Sequence, residues 1–302
     1  MRNTNKRLIA AGAAMLLAAL PGASPASAAP DDQPWPSTVT PYVVGGEDAT
    51  KAYPGMASLR ITRDGDPQFH VCGAILVHPF AVVVNAHCVT LANGAPKDAS
   101  LFTLRIGSVD RLAGGLVRRV AQVLPHERWD WGAGADAVAD IAVLRLNAPV
   151  WLRPFPIGAT ARGAVRLLGW GSTKASGEGP LPTVLQQLDT GIVPAERCAA
   201  GGITPGEVCV DNPGGVSGAC YGDSGGPALR RLTPRRWVAV GGASREITGV
   251  CGGGPTIYTD LTHYREWIYR TIVTGIVPHR AARAAVTTTS AATRAFQQAG
   301  LM

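Results

Sequence analysis

The chain has 302 residues, 46% of them hydrophobic and 16% charged, with a formal net charge of +7. That length and apolar content exclude a chain disordered throughout and suffice for one large domain or two small ones, each with a buried core. The positive charge is almost all arginine, scattered singly or in pairs (Arg118 with Arg119, Arg230 with Arg231, Arg235 with Arg236) and not gathered in a recognisable module, so nucleic-acid binding is excluded and a solvated surface expected.

From the amino terminus, residues 1–28 read as an export signal. Arg2, Lys6 and Arg7 make a basic start, LIAAGAAMLLAAL (8–20) an apolar run, and Ala26-Ser27-Ala28 a small-x-small cleavage site. The run is shorter than the about 20 residues a membrane-spanning helix needs. No later segment is long and apolar enough either, so the mature chain is expected to be secreted, extracellular and free of the membrane. Residues 29–42 (APDDQPWPSTVTPY) are polar and proline-rich and cannot build a core. A long globular stretch then opens at YVVGGEDA. VCGAILV (71–77), FAVVVNA (80–86), DIAVLRL (140–146), AVRLLGW (164–170) and WVAVGGA (237–243) read as short strands with Gly, Pro or Asn close by, as in an all-β barrel or sandwich. One helix is predicted, over 260–272 (DLTHYREWIYRTI), with Leu261, Tyr264, Trp267, Ile268 and Ile272 on one face. Residues 278–302 are Ala/Thr/Arg-rich and low in complexity, which predicts a flexible tail.

Six cysteines in an exported chain imply disulfides and not metal ligands or redox thiols. Cys72, Cys88, Cys198, Cys209, Cys220 and Cys251 permit many pairings; neighbours in order would close three successive loops. His70, Cys72, His87 and Cys88 fit no common zinc spacing, so no metal is expected there.

The chemistry centres on CYGDSGGPAL (220–229). Glycines on both sides of Ser224 allow a tight turn and a close approach, the setting of a nucleophile, yet the neighbouring Asp223 is a carboxylate, a poor companion for developing negative charge. GDSGG also fits the G-x-S-x-G elbow of α/β-hydrolases, with Asp260 and His263 downstream in the right order. That elbow needs a helix straight after the serine, and GGPALRRLTPRRW reads as turn and strand. The order His, Asp, Ser fits better: NAHC places His87 at the end of one apolar strand, and DIAVLRL places Asp140 at the start of another.

These pieces, VVGG (43–46), NAHC (85–88), DIAVLRL, GWG (169–171), CYGDSGGPA, Ser244 and PTIYTDL (255–261), resemble the secreted serine proteases of the chymotrypsin/trypsin family, in its bacterial trypsin-like branch, over about residues 43 to 274. The resemblance implies an all-β domain at 43–277: two packed antiparallel β-barrels, about 43–160 and 161–262, plus the carboxy-terminal helix. It implies that Ser224 attacks a peptide carbonyl while His87 carries the proton, Asp140 orients the imidazole, and the Gly222 and Ser224 amides receive the oxyanion. It also answers the question of Asp223: residues 29–42 would be a pro-segment, and cleavage before Val43 would free an ammonium group that pairs with Asp223 and sets the oxyanion loop. Cys72–Cys88 would then staple the loop carrying His87, Cys220–Cys251 brace the substrate pocket, and Cys198–Cys209 close a peripheral loop.

Three positions depart from the family. Asn85 stands where a small residue usually precedes Ala-His. The 104–120 loop lacks the glutamates with which many animal trypsins bind calcium, so neither calcium nor any cofactor is expected. Tyr42 is not Lys or Arg, so trypsin itself should not activate this precursor. The substrate pocket is expected at Gly218, Ala219, Ser244, Arg245, Glu246 and Thr256. Gly218 lacks the acid of trypsins and Thr256 replaces a usual glycine, which favours cleavage after small or medium uncharged residues, whereas Glu246 pointing inward would admit a basic one. The expected partners are protein or peptide substrates and protein protease inhibitors, met by a monomer. The alternative is an inactive homologue that binds a partner through the same surface. The remaining histidines, His70 among them, read as surface or packing residues.

Overall fold

The computed structural model describes residues 43–130 and 138–275; the expected leader (1–28), pro-segment (29–42) and tail (278–302) lie outside the described residues. A two-residue strand, β1 (Glu47–Asp48), leads into six longer ones: β2 (Met56–Arg63), β3 (Asp66–His78), β4 (Ala81–Val84), β5 (Thr103–Ile106), β6 (Leu116–Pro125) and β7 (Ala142–Leu146). These six close a barrel in the order β2-β3-β4-β7-β6-β5, every pair antiparallel. A second set, β8 (Gly163–Gly169), β9 (Gln186–Val193), β10 (Glu207–Val210), β11 (Pro227–Thr233), β12 (Arg236–Glu246) and β13 (Thr256–Asp260), closes a second antiparallel barrel through the β8–β9 pairing, with β1 added outside β9. The fold is therefore the all-β, two-barrel one.

The continuous apolar runs of the sequence follow from this arrangement. In β4, Val82 and Val84 point into the first barrel beside Leu59, Leu104 and Leu144, while Ala81 and Val83 join a cluster with Leu168, Leu229 and Ala239 of the other barrel. A strand with protein on both faces has no polar side to alternate. The core between the barrels is sealed by helix α2 (Arg265–Thr274) and the residues before it, whose Leu261, Tyr264, Trp267, Ile268 and Ile272 are all buried there.

Two boundaries differ from the sequence reading. The helix starts at Arg265, not at residue 260, because Asp260 is the last residue of β13 and its carboxylate accepts the Thr262 amide at 2.8 Å and hydroxyl at 2.7 Å, and the His263 amide at 3.2 Å. The residues just after 42 belong to the second barrel and not the first: Glu47 and Asp48 pair with Gln187 and Gln186, and Val43 is buried against Val165, Leu188 and Val238. Val43 sits there with φ +39°, a conformation that a β-branched side chain rarely adopts.

Candidate active site

β4 runs alongside β7 in the register Val84↔Ala142, so the residues that continue β4 lie beside those that precede β7. Asn85 leaves β4 in an extended conformation and opens a four-residue helix, α1 (Ala86–Val89), which carries His87. Asp140 approaches from the other side, after Ala139 at φ +49°. Its carboxylate is fully enclosed, and its Oδ2 accepts the His87 Nδ1–H at 2.8 Å, the Ser244 hydroxyl at 2.6 Å and the Asn85 side-chain amide at 2.8 Å; Oδ1 accepts the His87 backbone N–H at 3.0 Å. Because a carboxylate only accepts, the proton shared with His87 resides on Nδ1, leaving Nε2 as the basic nitrogen. Burial pushes the Asp140 pKa up, but the attraction of His87 and the donors of His87, Asn85 and Ser244 outweigh it and hold the group below its ordinary range.

Ser244 reaches this carboxylate from the second barrel through an irregularity in β12. Ala243 pairs with Tyr258 and Arg245 with Ile257, so Ser244 is an extra residue, a bulge that turns its hydroxyl toward Asp140. Ser224 is likewise tied to both barrels by backbone atoms. Its carbonyl accepts Gly73 N–H of β3 at 2.7 Å, while Gly225 N–H donates to Ala243 at 2.9 Å. Gly73 has to be glycine: a β-carbon there would lie 2.7 Å from the Gly226 α-carbon. Gly222 has φ +97°, which favours glycine, and a β-carbon on it would come within 3.0 Å of Gly171.

His70, read from the sequence as a surface or packing residue, is a packing residue that the structure also ties to the Gly222 loop. It is buried, accepts the Ser58 hydroxyl on Nδ1 at 2.7 Å and donates from Nε2 to the Gly222 carbonyl at 2.9 Å. The ring thereby fixes the peptide plane whose neighbour is the expected oxyanion donor. Burial holds its pKa down at about 4, so it stays a neutral, single-tautomer bridge at ordinary pH.

Asp223 is buried beneath the same loop, its Oδ1 accepting Gly171 N–H at 2.8 Å and its Oδ2 accepting Cys220 N–H at 2.9 Å. Burial pushes its pKa up to about 7, with Glu246 adding a smaller upward push and the two amides only partly offsetting it. The carboxylate thus sits in a low-dielectric cage that hydrogen bonds alone do not fully compensate.

Ser224 and His87 border two cavities. One, of about 390 Å³, is also walled by Ala219, Ser244, Glu246 and Thr256; the other, of about 610 Å³, by Val71, Lys97, Phe102 and the Cys72–Cys88 disulfide. Of the expected pocket residues, Gly218 lies just behind the first cavity, where a β-carbon would meet Thr256 Oγ1 at 3.6 Å. Arg245 borders the first cavity with its guanidinium already engaged: it pairs with the Glu207 carboxylate and donates to the Gly201 carbonyl at 3.2 Å and that of Gly202 at 2.8 Å. Glu246, opposite Thr256 across the β12–β13 pair, has its Oε1 3.1 Å from the Cys251 sulfur, and burial pushes its pKa up. Cys220–Cys251 and Cys198–Cys209 are the other disulfides. Although Cys72, Cys88 and His87 come close together, the two sulfurs are joined to each other and offer a metal no thiolate.

Comparison with known proteins places this geometry in context. A family model described as Trypsin matches residues 43–268. Transmembrane protease serine 11G of Mus musculus is 32% identical over 244 residues, covering 75% of this chain and 54% of that protein. Transmembrane protease serine 11C of the same species is 31% identical over 245 residues, covering 75% and 52%, and Serine protease SP24D of Anopheles gambiae is 32% identical over 211 residues, covering 67% and 72%. The match thus spans about half the length of the two mouse proteins. All three are animal proteins, so they carry the family and not the bacterial branch. No helix among the described residues is long and apolar enough to cross a membrane.

Proposed function

Because this chain belongs to the trypsin family of serine proteases, matched over residues 43–268, we propose that it is a secreted serine endopeptidase, matured by cleavage before Val43. The observation that carries the reading is that Ser224 and a His87 whose Nδ1–H is held by a buried carboxylate border the same two cavities. Two cavities that share the serine suit a peptide longer than one residue, as an endopeptidase requires.

The mechanism follows from the parts. His87 takes the Ser224 proton on Nε2 as Oγ attacks the peptide carbon, and later delivers it to the leaving amine. Asp140 keeps the imidazole in that tautomer and stabilises its charged form. The amides of Gly222 and Ser224 receive the oxyanion, each such donor contributing about 2.7–4 kcal/mol to the transition state. A water then repeats the sequence on the acyl-enzyme, with His87 as base.

A fluorophosphonate probe tests the proposal. Stoichiometric attachment mapped to Ser224 of the secreted protein is the expected result; absence of labelling in protein that begins at Val43 would favour the inactive binding homologue instead.

The expected substrate preference shifts with the structure. Sequence alone favoured small or medium uncharged residues before the scissile bond. Glu246, however, presents in the cavity a half-buried carboxylate that makes no ion pair among the described residues, and a cationic side chain entering there would supply its partner. Arg and Lys amides are therefore expected to exceed matched Ala, Leu and Phe amides in kcat/KM by about tenfold or more, with Glu246→Gln erasing the difference. A wild-type preference for Ala or Leu would restore the sequence expectation.

A further inference from the structure

We infer that Asn85 is a positioning residue of the hydrolytic centre, its side-chain amide holding the Asp140 carboxylate in the orientation that receives His87. The inference rests on the reading of Ser224, His87 and Asp140 as that centre. Asn85 stands where the family usually has a small residue, and it is 2% exposed, so a polar side chain has been enclosed at a place that does not ordinarily need one.

What the side chain does there separates a positioning role from a merely structural one. Asn85 occupies the N-cap of α1, where an asparagine usually accepts a backbone N–H of the first turn; it makes no such bond. Instead both hydrogens of its Nδ2 are used elsewhere. One goes to Asp140 Oδ2 at 2.8 Å and the other to the Thr259 hydroxyl oxygen at 3.1 Å, while Thr259 donates its own hydrogen to the Asp140 carbonyl at 2.8 Å. The orientation of the amide is fixed by chemistry: the carboxylate can only accept, and the Thr259 hydroxyl has already given its hydrogen away. Gly242, which pairs with Thr259 across β12 and β13, leaves the space for it; a β-carbon there would lie 2.9 Å from Asn85 Oδ1.

Oδ2 of Asp140 therefore has three donors, from Asn85, His87 and Ser244, and of these only His87 also carries a proton in the reaction, on its other nitrogen. With Asn85 and Ser244 on its flanks, the oxygen cannot rotate away from the imidazole. The Asn85 amide also bridges the barrels, since Asn85 and Asp140 belong to the first and Thr259 to the second. It ties the orientation of the acid to the packing of one barrel on the other.

The test is Asn85→Ala, which installs the small residue usual in the family, in the chain processed to begin at Val43. With kcat expressed per site titrated by fluorophosphonate, it is expected to fall by about tenfold to a hundredfold with KM within about twofold of wild type. In proton NMR, the low-field resonance of the His87–Asp140 hydrogen bond should move. Thr259→Val, which leaves the amide without its second anchor, should change kcat and the resonance in the same direction, and it serves if Asn85→Ala does not fold. Wild-type kcat with an unmoved resonance would overturn the inference, as would a loss confined to thermal stability or to the number of titratable sites. Failure of the hydrolytic reading itself would look different, as wild-type protein that neither labels nor turns over substrate.

Discussion

Replacing Ser224 by alanine is expected to lower kcat by on the order of 10⁶-fold while leaving the fold unchanged. The bonds that tie this residue to both barrels are made by backbone atoms, the Ser224 carbonyl with Gly73 and the Gly225 amide with Ala243, so removing one hydroxyl leaves them in place. The loss is that large because no other group supplies the covalent step. His87→Ala should cost about as much, and the double variant little more than either alone, since the two act as one unit. What survives should be a residual about 10³–10⁴ above the uncatalysed reaction, owed to the amide donors and to binding. Single-turnover kinetics with matched thermal midpoints checks it; a double variant far worse than the singles would contradict a shared step.

Asp223→Asn is expected to lower kcat/KM of the processed enzyme by about a hundredfold to a thousandfold, because it leaves the Val43 ammonium enclosed without its counter-charge. The same residue gives the precursor a distinctive pH dependence. Its folded pKa of about 7 lies above the ordinary carboxylate value, so the folded chain binds a proton there more tightly than the unfolded one. The corresponding stability is complete below about pH 4 and is lost as pH rises through about 7, a change of up to about 4 kcal/mol. Because His70, held down at about 4, contributes a rise over nearly the same window, the decline is read as a difference: in denaturant titrations the stability of Asp223→Asn precursor should climb relative to wild type by that amount between about pH 4 and 7, the variant keeping the His70 rise alone. In the chain processed as proposed, the partner would be the new amino group, whose pKa the pairing would raise above about 8. That stabilisation is complete below about 8 and lost through the higher folded value, so activity should fall reversibly in alkali. Active protein whose first residue proved to be Ala29 would remove the premise.

How much of this was legible in the sequence depends on how far apart the partners lie. Ser224, with its glycines, and His87, beside a cysteine at a strand end, carry their chemistry in a few adjacent letters. The buried face of α2 shows in its spacing. Asn85 and His70 were not legible, because each is defined by a distant partner: Asn85 by Thr259, 174 residues on, and His70 by Gly222, 152 residues on. The available signal was weaker, a polar residue within an otherwise apolar run: Asn85 in FAVVVNA. The pairing of Arg245 with Glu207 was hidden for the same reason, since the two lie 38 residues apart. The helix start was missed because Asp260, a good opening residue for a helix, is used first to end a strand.

The positive φ of Val43 would give the proposed maturation a direction. In the intact chain a β-branched residue held in that conformation is crowded by its own backbone, at a cost on the order of 1–3 kcal/mol. The crowding requires a peptide on each side of Val43, because φ exists only while a preceding carbonyl carbon defines it. Hydrolysis of the bond ahead of Val43 would abolish that torsion, and with it the strain on a residue packed in the intact chain with Val165, Leu188 and Val238. The joint would then be spring-loaded: tension held before the proposed cut would be released by it, and that release would oppose rejoining.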